Sequence, residues 1–275
     1  MKNNVSSTQK LAESGLMLAL ATLLSLFKLA DLPYGGSITA ASMLPVLIIA
    51  LRHGAVWGVF TGFAHGLLQL ILGSSVLSWV TGWQAVVAVI VLEYLLAFAV
   101  LGLGGLCRKM QHQPSALALG SLIACALRYL LHVIAGCTVW AGLSIPTGDA
   151  LIYSIIYNAT YMIPETIVTV CAAWYLASVL NFRAARLSAA KQESLPAARI
   201  LSAVAGFAVL GGVAADCALI FPCLQDAESG EFAITGIAQV NWLAVVIVTV
   251  ACLLLAAVLL LLRRRVTAKK EATKE

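Results

Sequence analysis

The chain has few charged residues. Asp, Glu, Lys and Arg make up 11% of its 275 residues, against about 25% in a typical soluble domain. Hydrophobic residues make up 61%, whereas about 45–50% is usual for a soluble domain. This composition excludes a soluble enzyme, a disordered protein and a nucleic-acid-binding module. We therefore expect the lipid bilayer, and no nucleic acid, among the partners of this chain.

Several motifs that carry chemistry are also missing. No lysine follows a glycine, so the phosphate-binding loop that ends in Gly-Lys-Ser/Thr cannot occur. There is no His-Glu-x-x-His zinc motif and no Gly-x-Ser-x-Gly nucleophile elbow. The run Gly102-Leu103-Gly104-Gly105 is expected to serve close packing or to end a helix. The sequence therefore predicts no catalytic residues, no cofactor and no ATP hydrolysis through a phosphate-binding loop.

The seven cysteines form no Cys-x-x-Cys pair and no zinc-like spacing. Most fall inside apolar runs, where cysteine acts as a small packing residue. Cys217 and Cys223 lie near one expected outer face, and the sequence leaves open whether they pair. We predict no metal site.

Long apolar runs are the main feature of the sequence. A bilayer span takes about 20 apolar residues. The apolar content suffices for about eight spans. The second run is short for a span, so we expect it to be tilted or partly re-entrant. No small-x-small cleavage site follows the first run, which is interpreted as a retained helix. Helices are predicted near Leu11–Ala30, Thr39–Leu51, Gly54–Leu72, Gly82–Leu106, Ser115–Ala141, Asp149–Leu180, Ala198–Phe221 and Asn241–Leu262. The fold class is an all-α integral membrane protein.

Basic residues orient these helices, because cytoplasmic loops carry an excess of Lys and Arg. Fifteen of the 17 basic residues fall in alternate connections. The connections on the opposite side carry acidic residues and only one basic residue, Lys28. This pattern predicts that both termini are cytoplasmic. The fifteen are Lys2, Lys10, Arg52, Arg108, Lys109, Arg183, Arg186, Lys191, Arg199, Arg263, Arg264, Arg265, Lys269, Lys270 and Lys274.

Three polar side chains fall at one depth in three different predicted helices. At a rise of about 1.5 Å per residue, Glu93, His132 and Asn158 lie about 14–16 Å below the outer helix ends. An ionisable group in the hydrocarbon costs about 2.5–3.5 kcal/mol, so this shared level favours a binding site. Glu165 lies about 24 Å below the outer end of its helix, away from this layer, and is left out of the site. Its carboxyl is expected to be protonated or paired with Arg128.

Aromatic residues accompany this polar layer. Arg128, His132, Gly136 and Trp140 recur every four residues along one helix face, and glycine leaves room there for a flat ring. A second stripe consists of Tyr153, Tyr157 and Tyr161. The structural alternative is a set of interhelical hydrogen bonds with an interfacial aromatic belt. A carboxylate among aromatic rings suits an organic cation, since each cation–π contact contributes about 0.5–2 kcal/mol.

These residues resemble a known family. The segments Leu127–Gly136, Trp140 and Tyr153–Met162 look like the thiamine-specific substrate-binding S component of energy-coupling-factor (ECF) transporters. Leu92-Glu93-Tyr94 resembles the acidic fourth-helix motif of that family. Pro33-Tyr34-Gly35-Gly36-Ser37 and Leu51-Arg52-His53-Gly54 resemble its first outer loop and its turn between helices two and three. The resemblance covers residues 10–180.

The resemblance implies a six-helix S-component domain over residues 1–190 that captures thiamine from outside the cell. It implies an ABC-type uptake system with a transmembrane coupling protein and two ATP-hydrolysing subunits, in the bacterial plasma membrane. Residues 191–275 have no counterpart and are predicted to form a two-helix transmembrane hairpin with a basic cytoplasmic tail. Gly15 and Ala19 match a docking face for the coupling protein, although ordinary helix packing explains them equally well. The implied substrate-binding residues are Glu93, Tyr94, His132, Gly136, Trp140, Tyr153 and Asn158, with Trp140 stacking on the ligand.

Alternatives remain at this point. The same fold could select another vitamin or a thiamine precursor, and a different class would be an intramembrane enzyme that uses Glu93 and His132. The second stacking aromatic is Tyr34, Trp79 or Trp83. Arg128 is expected to pair with Glu93 or to bind no ligand.

Overall fold

The computed structural model describes residues 6–32, 35–141, 148–189, 196–226 and 232–272, with side chains as far as residue 267. The described chain is mostly helical, as the composition predicts. It forms two compact units, Met1–Ser188 and Ala189–Glu275. Its helical segments are α1 (Ser7–Leu26), α2 (Leu44–His53), α3 (Ala55–Leu72), α4 (Trp83–Lys109), α5 (Gln113–Thr138), α6 (Ala150–Val179), α7 (Pro196–Ile220) and α8 (Trp242–Ala272). Six of these, α3 to α8, are long and apolar enough to cross a membrane.

Helix α1 begins at a side-chain cap and ends earlier than the sequence predicts. The Ser6 hydroxyl accepts a hydrogen bond from the Gln9 backbone N–H at 3.1 Å, which satisfies a donor that a helix start leaves free. The expected helix to Ala30 is wrong, because residues 28–31 pair with a second strand that local patterning did not reveal. Strands β1 (Lys28–Asp31) and β2 (Ser37–Thr39) form an antiparallel hairpin. Two further two-residue strands, Leu180–Asn181 and Ser188–Ala189, follow α6.

Helix α2 is buried on all sides. Every residue from Leu44 to Leu51 is buried, which explains why this segment is apolar throughout. Its ten residues extend about 15 Å, half of the hydrocarbon thickness of about 30 Å. Gly54, at φ +99°, forms the sharp corner to α3, a conformation that favours glycine. This helix is therefore a core element of the first unit and too short to cross a bilayer alone.

Helix α4 changes type along its length. It is α-helical over Trp83–Val89, a π-helix over Ile90–Leu96, and a 3₁₀-helix over Val100–Lys109. Segments of π-helix are rare and occur frequently at functional sites. The 3₁₀ part contains the glycine run, where a Cβ added to Gly104 would lie 2.9 Å from the Gly120 carbonyl oxygen. Close packing of α4 against α2, α3 and α5 therefore accounts for this run, as the sequence predicts.

A polar cluster ties three parts of the first unit together. Arg52 donates to both carboxylate oxygens of Glu13, at 2.8 and 2.9 Å, and to the Phe182 carbonyl at 2.5 Å. His53 contacts the same carboxylate at 2.7 Å. The Arg52 side chain is only 5% exposed. Arg52 therefore has a packing role that links α1, α2 and the turn after α6, beside any role in orienting the helices.

The second unit consists mainly of α7 and α8, which pack against each other. Short 3₁₀ turns, Phe221–Leu224 and Ile234–Gln239, lie between them. The Thr249 hydroxyl donates to Asp216 Oδ2 at 2.7 Å. This bond gives one carboxylate oxygen of Asp216 a partner within the helix pair. Both Cys217 and Cys223 are free thiols, which resolves the pairing that the sequence leaves open.

Candidate functional site

A cavity of about 730 Å³ lies within the first unit. The β1–β2 hairpin, the end of α3, the π-helical part of α4, and helices α5 and α6 all contribute to its walls. The structure brings all seven sequence-predicted substrate-binding residues to this one cavity. They are Glu93, Tyr94, His132, Gly136, Trp140, Tyr153 and Asn158.

Of the three alternatives for a second stacking aromatic, Trp79 lines the cavity and is 51% exposed. Trp83 is 73% exposed and is not among the lining residues. Tyr34 lies outside the described residues. Trp79 is therefore the described alternative that can reach a molecule in the cavity.

The carboxylate of Glu93 is held by an indole. Trp140 Nε1 donates to Glu93 Oε1 at 2.6 Å, a charge-assisted bond when the carboxylate is ionised. Beside it, the Tyr94 hydroxyl donates to the Gly73 carbonyl at 3.1 Å. The π-helical segment thus presents an acid that is oriented by the residues just after α5. The N–H of Trp140 is engaged, and its ring remains part of the cavity wall.

Of the two alternatives for Arg128, pairing with Glu93 is wrong, and the absence of a contact with the ligand stays a prediction. No ion pair in the described part of the chain contains Arg128. Its Nε instead donates to His132 Nε2 at 3.2 Å, and its guanidinium carbon lies 4.3 Å from the centroid of the Phe98 ring. The physical reason is that His132 lies one helical turn along the same face, whereas Trp140 already donates to Glu93.

The α6 wall of the cavity is an ordered polar and aromatic face. Asn158 Nδ2 donates to the Ser154 carbonyl at 2.9 Å, and its Oδ1 accepts from the Tyr161 hydroxyl at 2.5 Å. The Tyr153 and Tyr157 rings stack with centroids 6.5 Å apart. Tyr157 also accepts the Gly36 backbone N–H at 3.1 Å, which fixes the β1–β2 hairpin over this wall.

Sequence reasoning omitted Tyr157 and Tyr161 from the site, although both line the cavity. The sequence pattern could have identified both residues, because Tyr157 and Tyr161 follow Tyr153 at the four-residue spacing of one helix face. Phe98 and Met162 also line the cavity. Nothing in the local pattern distinguishes these two from ordinary core residues.

The expectation that Glu165 lies away from the site is also wrong. Its carboxylate lines the same cavity and is 3% exposed. It accepts the Thr39 backbone N–H at 2.5 Å and the Thr39 hydroxyl at 2.6 Å, so its partner is Thr39 and not Arg128. Thr39, the last residue of β2, lies beside α6 and supplies these donors, which an estimate of depth along one helix could not show.

Gly15 and Ala19 lie elsewhere, on an exposed face of α1. A Cβ added to Gly15 would meet no atom within 4 Å. Their role in docking remains a prediction. Among the residues that the structure describes, no group of three His, Cys, Asp or Glu side chains could hold a metal ion.

The helices and the cavity define the class of protein. Six apolar helices can cross a bilayer, and an acid, an imidazole, an amide and several aromatic rings surround one cavity between helices. Small-molecule sites are typically concave and apolar, with a few placed polar groups that fix orientation. This arrangement is typical of a multi-pass membrane protein that binds a small aromatic molecule.

Comparison with known proteins gives the family. The profile of the thiamine transporter protein family (Thia_YuaJ) matches residues 11–183. The chain is 31% identical over 183 residues to the thiamine transporter ThiT of Bacillus subtilis, covering 60% of this chain and 88% of that protein. It is 30% identical over 152 residues to thiamine transporter ThiT of Lacticaseibacillus paracasei, covering 50% of this chain and 71% of that protein.

A solved structure shares the fold. ThiT from Listeria monocytogenes superposes with a TM-score of 0.52 at 23% sequence identity, covering 61% of this chain and 92% of that one. The chain therefore belongs to the thiamine transporter protein family. It is a multi-pass protein of the bacterial plasma membrane and a membrane component of thiamine transport, not an enzyme. The intramembrane-enzyme alternative is thereby excluded.

Proposed function

We propose that this chain is the substrate-binding S component of an ECF-type ABC transporter and that it captures thiamine from outside the cell. Thiamine combines an aminopyrimidine ring with a positively charged thiazolium ring. The observation that carries the proposal is the Glu93 carboxylate, which Trp140 holds at 2.6 Å in a cavity walled by aromatic rings. A carboxylate among ring faces complements a flat organic cation through charge and cation–π contact.

The cavity residues divide into three roles under this proposal. Glu93 supplies the negative charge and a hydrogen-bond acceptor. His132, Tyr153 and Asn158 give direction through hydrogen bonds, and Gly136 and Tyr94 shape the wall. Trp140 and Trp79 stack on the two rings of the ligand.

Transport by this chain requires an external source of energy. The sequence contains no phosphate-binding loop, and the family relationship supports an assembly with a transmembrane coupling protein and two ATP-hydrolysing subunits. The exposed α1 face at Gly15 and Ala19 is the proposed docking surface for the coupling protein. In this arrangement both termini are cytoplasmic, because the basic residues fall in alternate connections.

Residues 1–190 act as the S-component domain in this proposal, and residues 191–275 add a transmembrane hairpin. The family profile ends at residue 183. The two helices of the hairpin, α7 and α8, are both apolar enough to cross the membrane.

Thiamine titration of the detergent-purified protein tests the ligand assignment. We expect saturable quenching of tryptophan fluorescence, because a stacked ring contacts Trp140. Trp140→Phe should remove most of the quench, whereas Trp174→Phe, on α6 and not among the lining residues, should retain it. Riboflavin and biotin serve as competitors, and equal affinity for either would contradict the assignment.

A separate titration tests the alternative that the site selects a thiamine precursor. The hydroxymethyl-pyrimidine half of thiamine lacks the thiazolium cation and one of the two rings. We expect it to bind more weakly than thiamine in the same titration. Equal or tighter binding of the precursor would show that the site selects the pyrimidine alone.

Vesicle uptake tests the energy requirement. The purified chain alone should bind thiamine without accumulating it. Addition of a coupling protein with two ATP-hydrolysing subunits and internal ATP should produce concentrative uptake. Sustained accumulation without these partners would indicate a secondary transporter.

A further inference from the structure

Arg128 is a cation within a membrane-spanning helix and has no carboxylate partner in the described chain. Such a group is costly in a membrane and calls for a role. Its guanidinium lies over the Phe98 ring, with Cζ 4.3 Å from the ring centroid. Phe98 is itself fixed by His65, whose ring packs edge-on at 5.0 Å and 89°. The contact with Phe98 and the bond to His132 together position the guanidinium.

In this orientation Arg128 Nε points at His132 Nε2 over 3.2 Å. A guanidinium has five N–H donors and no acceptor, so Nε2 must be the acceptor of this bond. A neutral imidazole that accepts at Nε2 carries its proton on Nδ1. Protonation of both nitrogens would break the bond and place two positive charges side by side.

We propose that Arg128 is a positioning residue that holds His132 neutral, with its proton on Nδ1, so that His132 offers the ligand a donor. Nε2 is the one ring nitrogen of His132 with a hydrogen-bond partner among the described residues, and His132 lines the cavity. The Tyr161 ring packs edge-on against the imidazole at 6.3 Å. The state of His132 follows from this geometry alone, and its effect on thiamine rests on the proposed function.

This arrangement makes the cavity selective in two ways. The ligand atom that meets His132 Nδ1 must be an acceptor, such as a hydroxyl oxygen or an unprotonated ring nitrogen. A neutral imidazole also adds no second positive charge to a cavity that receives a cation. The charge of Arg128 itself lies over the negative face of the Phe98 ring.

Nitrogen NMR on the ligand-free protein tests the state of His132 directly. The chain has four histidines, so the His132→Gln variant assigns the signal in ¹⁵N-histidine-labelled protein. We expect a single neutral form protonated at Nδ1. A proton on Nε2, or on both nitrogens, would overturn the proposal whether or not thiamine binds. Absence of thiamine binding together with the Nδ1–H form would contradict only the proposed function.

A double-mutant cycle tests whether Arg128 acts through His132. Arg128→Met keeps an apolar stem over Phe98 and removes the donor, so we expect mixed His132 tautomers and thiamine binding weakened about 3- to 10-fold, the range for one hydrogen bond. In the His132→Gln background, Arg128→Met should cause no further loss. Arg186→Met, at an exposed position, is the matched control.

Additive losses in the cycle would overturn the proposal, because Arg128 would then act independently of His132. Melting temperatures of all four proteins show whether each variant is folded. The NMR measurement uses the unmodified chain, so the proposal stays testable if Arg128→Met fails to fold.

Discussion

Trp140 donates its indole N–H to Glu93 across the cavity, with 2.6 Å between Nε1 and Oε1. The bond joins the residues that follow α5 to the π-helical turn of α4. This one bond fixes the orientation of the Glu93 carboxylate and of the Trp140 ring, which forms part of the cavity wall. Disturbing either residue should therefore change both the charge and the ring presented to a ligand.

Glu93→Gln removes the charge and keeps the shape of the side chain. A hydrogen bond to a charged group contributes about 1.5–3 kcal/mol, so thiamine should bind about 10- to 150-fold more weakly at about 1.4 kcal/mol per tenfold. The amide oxygen can still accept from Trp140, so the melting temperature should change little. Both quantities are measured on one preparation, by fluorescence titration and thermal denaturation.

Asp149→Asn is the matched control for Glu93→Gln, because it removes an exposed carboxylate just before α6. Its affinity for thiamine should equal that of the unmodified chain. An unchanged affinity in well-folded Glu93→Gln would remove Glu93 from the proposed site.

Trp140→Phe separates stacking from hydrogen bonding. Phenylalanine keeps an aromatic face but leaves the Glu93 carboxylate without its indole donor. Losing the partner of a buried group costs about 1–3 kcal/mol and Glu93 is partly buried, so the loss of stability should lie within or below that range. The melting temperature should fall and thiamine affinity should decrease. Calorimetric titration measures affinity here, since Trp140→Phe should remove most of the fluorescence signal. Unchanged stability and affinity would mean that the bond has no role in shaping the site.

Thr39→Val tests the contact between β2 and α6. The substitution keeps the shape of the side chain and removes the hydroxyl that donates to Glu165 and accepts from the Ser42 backbone N–H. A loss of about 1–3 kcal/mol should lower the melting temperature by about 2–4 °C per kcal/mol. Thr138→Val is the control, because its exposed hydroxyl bonds only to a carbonyl of its own helix. Equal melting temperatures for the two variants would count against a structural role for the Glu165 contact.

Cysteine labelling tests the orientation in the membrane. In a chain without its seven native cysteines, Ser229→Cys should react with an impermeant maleimide in intact cells. Lys270→Cys should react only after the membrane is permeabilised, because positively charged connections remain in the cytoplasm. Labelling at position 270 in intact cells would contradict the proposed topology.

Contacts between distant segments explain which predictions from the sequence are confirmed and which are wrong. The spacing of Arg128, His132 and Gly136 already placed these residues on one side of α5, and Trp140 follows just after the helix ends. It could not say which of them meets Glu93, because that depends on the contact between α4 and α5. Trp140, and not Arg128, makes the contact.

The sequence by itself determined the membrane class, the approximate helices, and the seven cavity residues that the structure brings together. The class and the helices follow from composition and from periodicities that each helix carries within itself, whereas the seven residues were implied by the resemblance to the transporter family. The tertiary structure alone decided that residues 28–31 form a strand and that Glu165 faces the cavity. In both cases a distant backbone supplies the partner, β2 for β1 and Thr39 for Glu165. Hydrogen bonds between segments far apart in the chain leave no periodic signal in either segment, so only the packed fold reveals them.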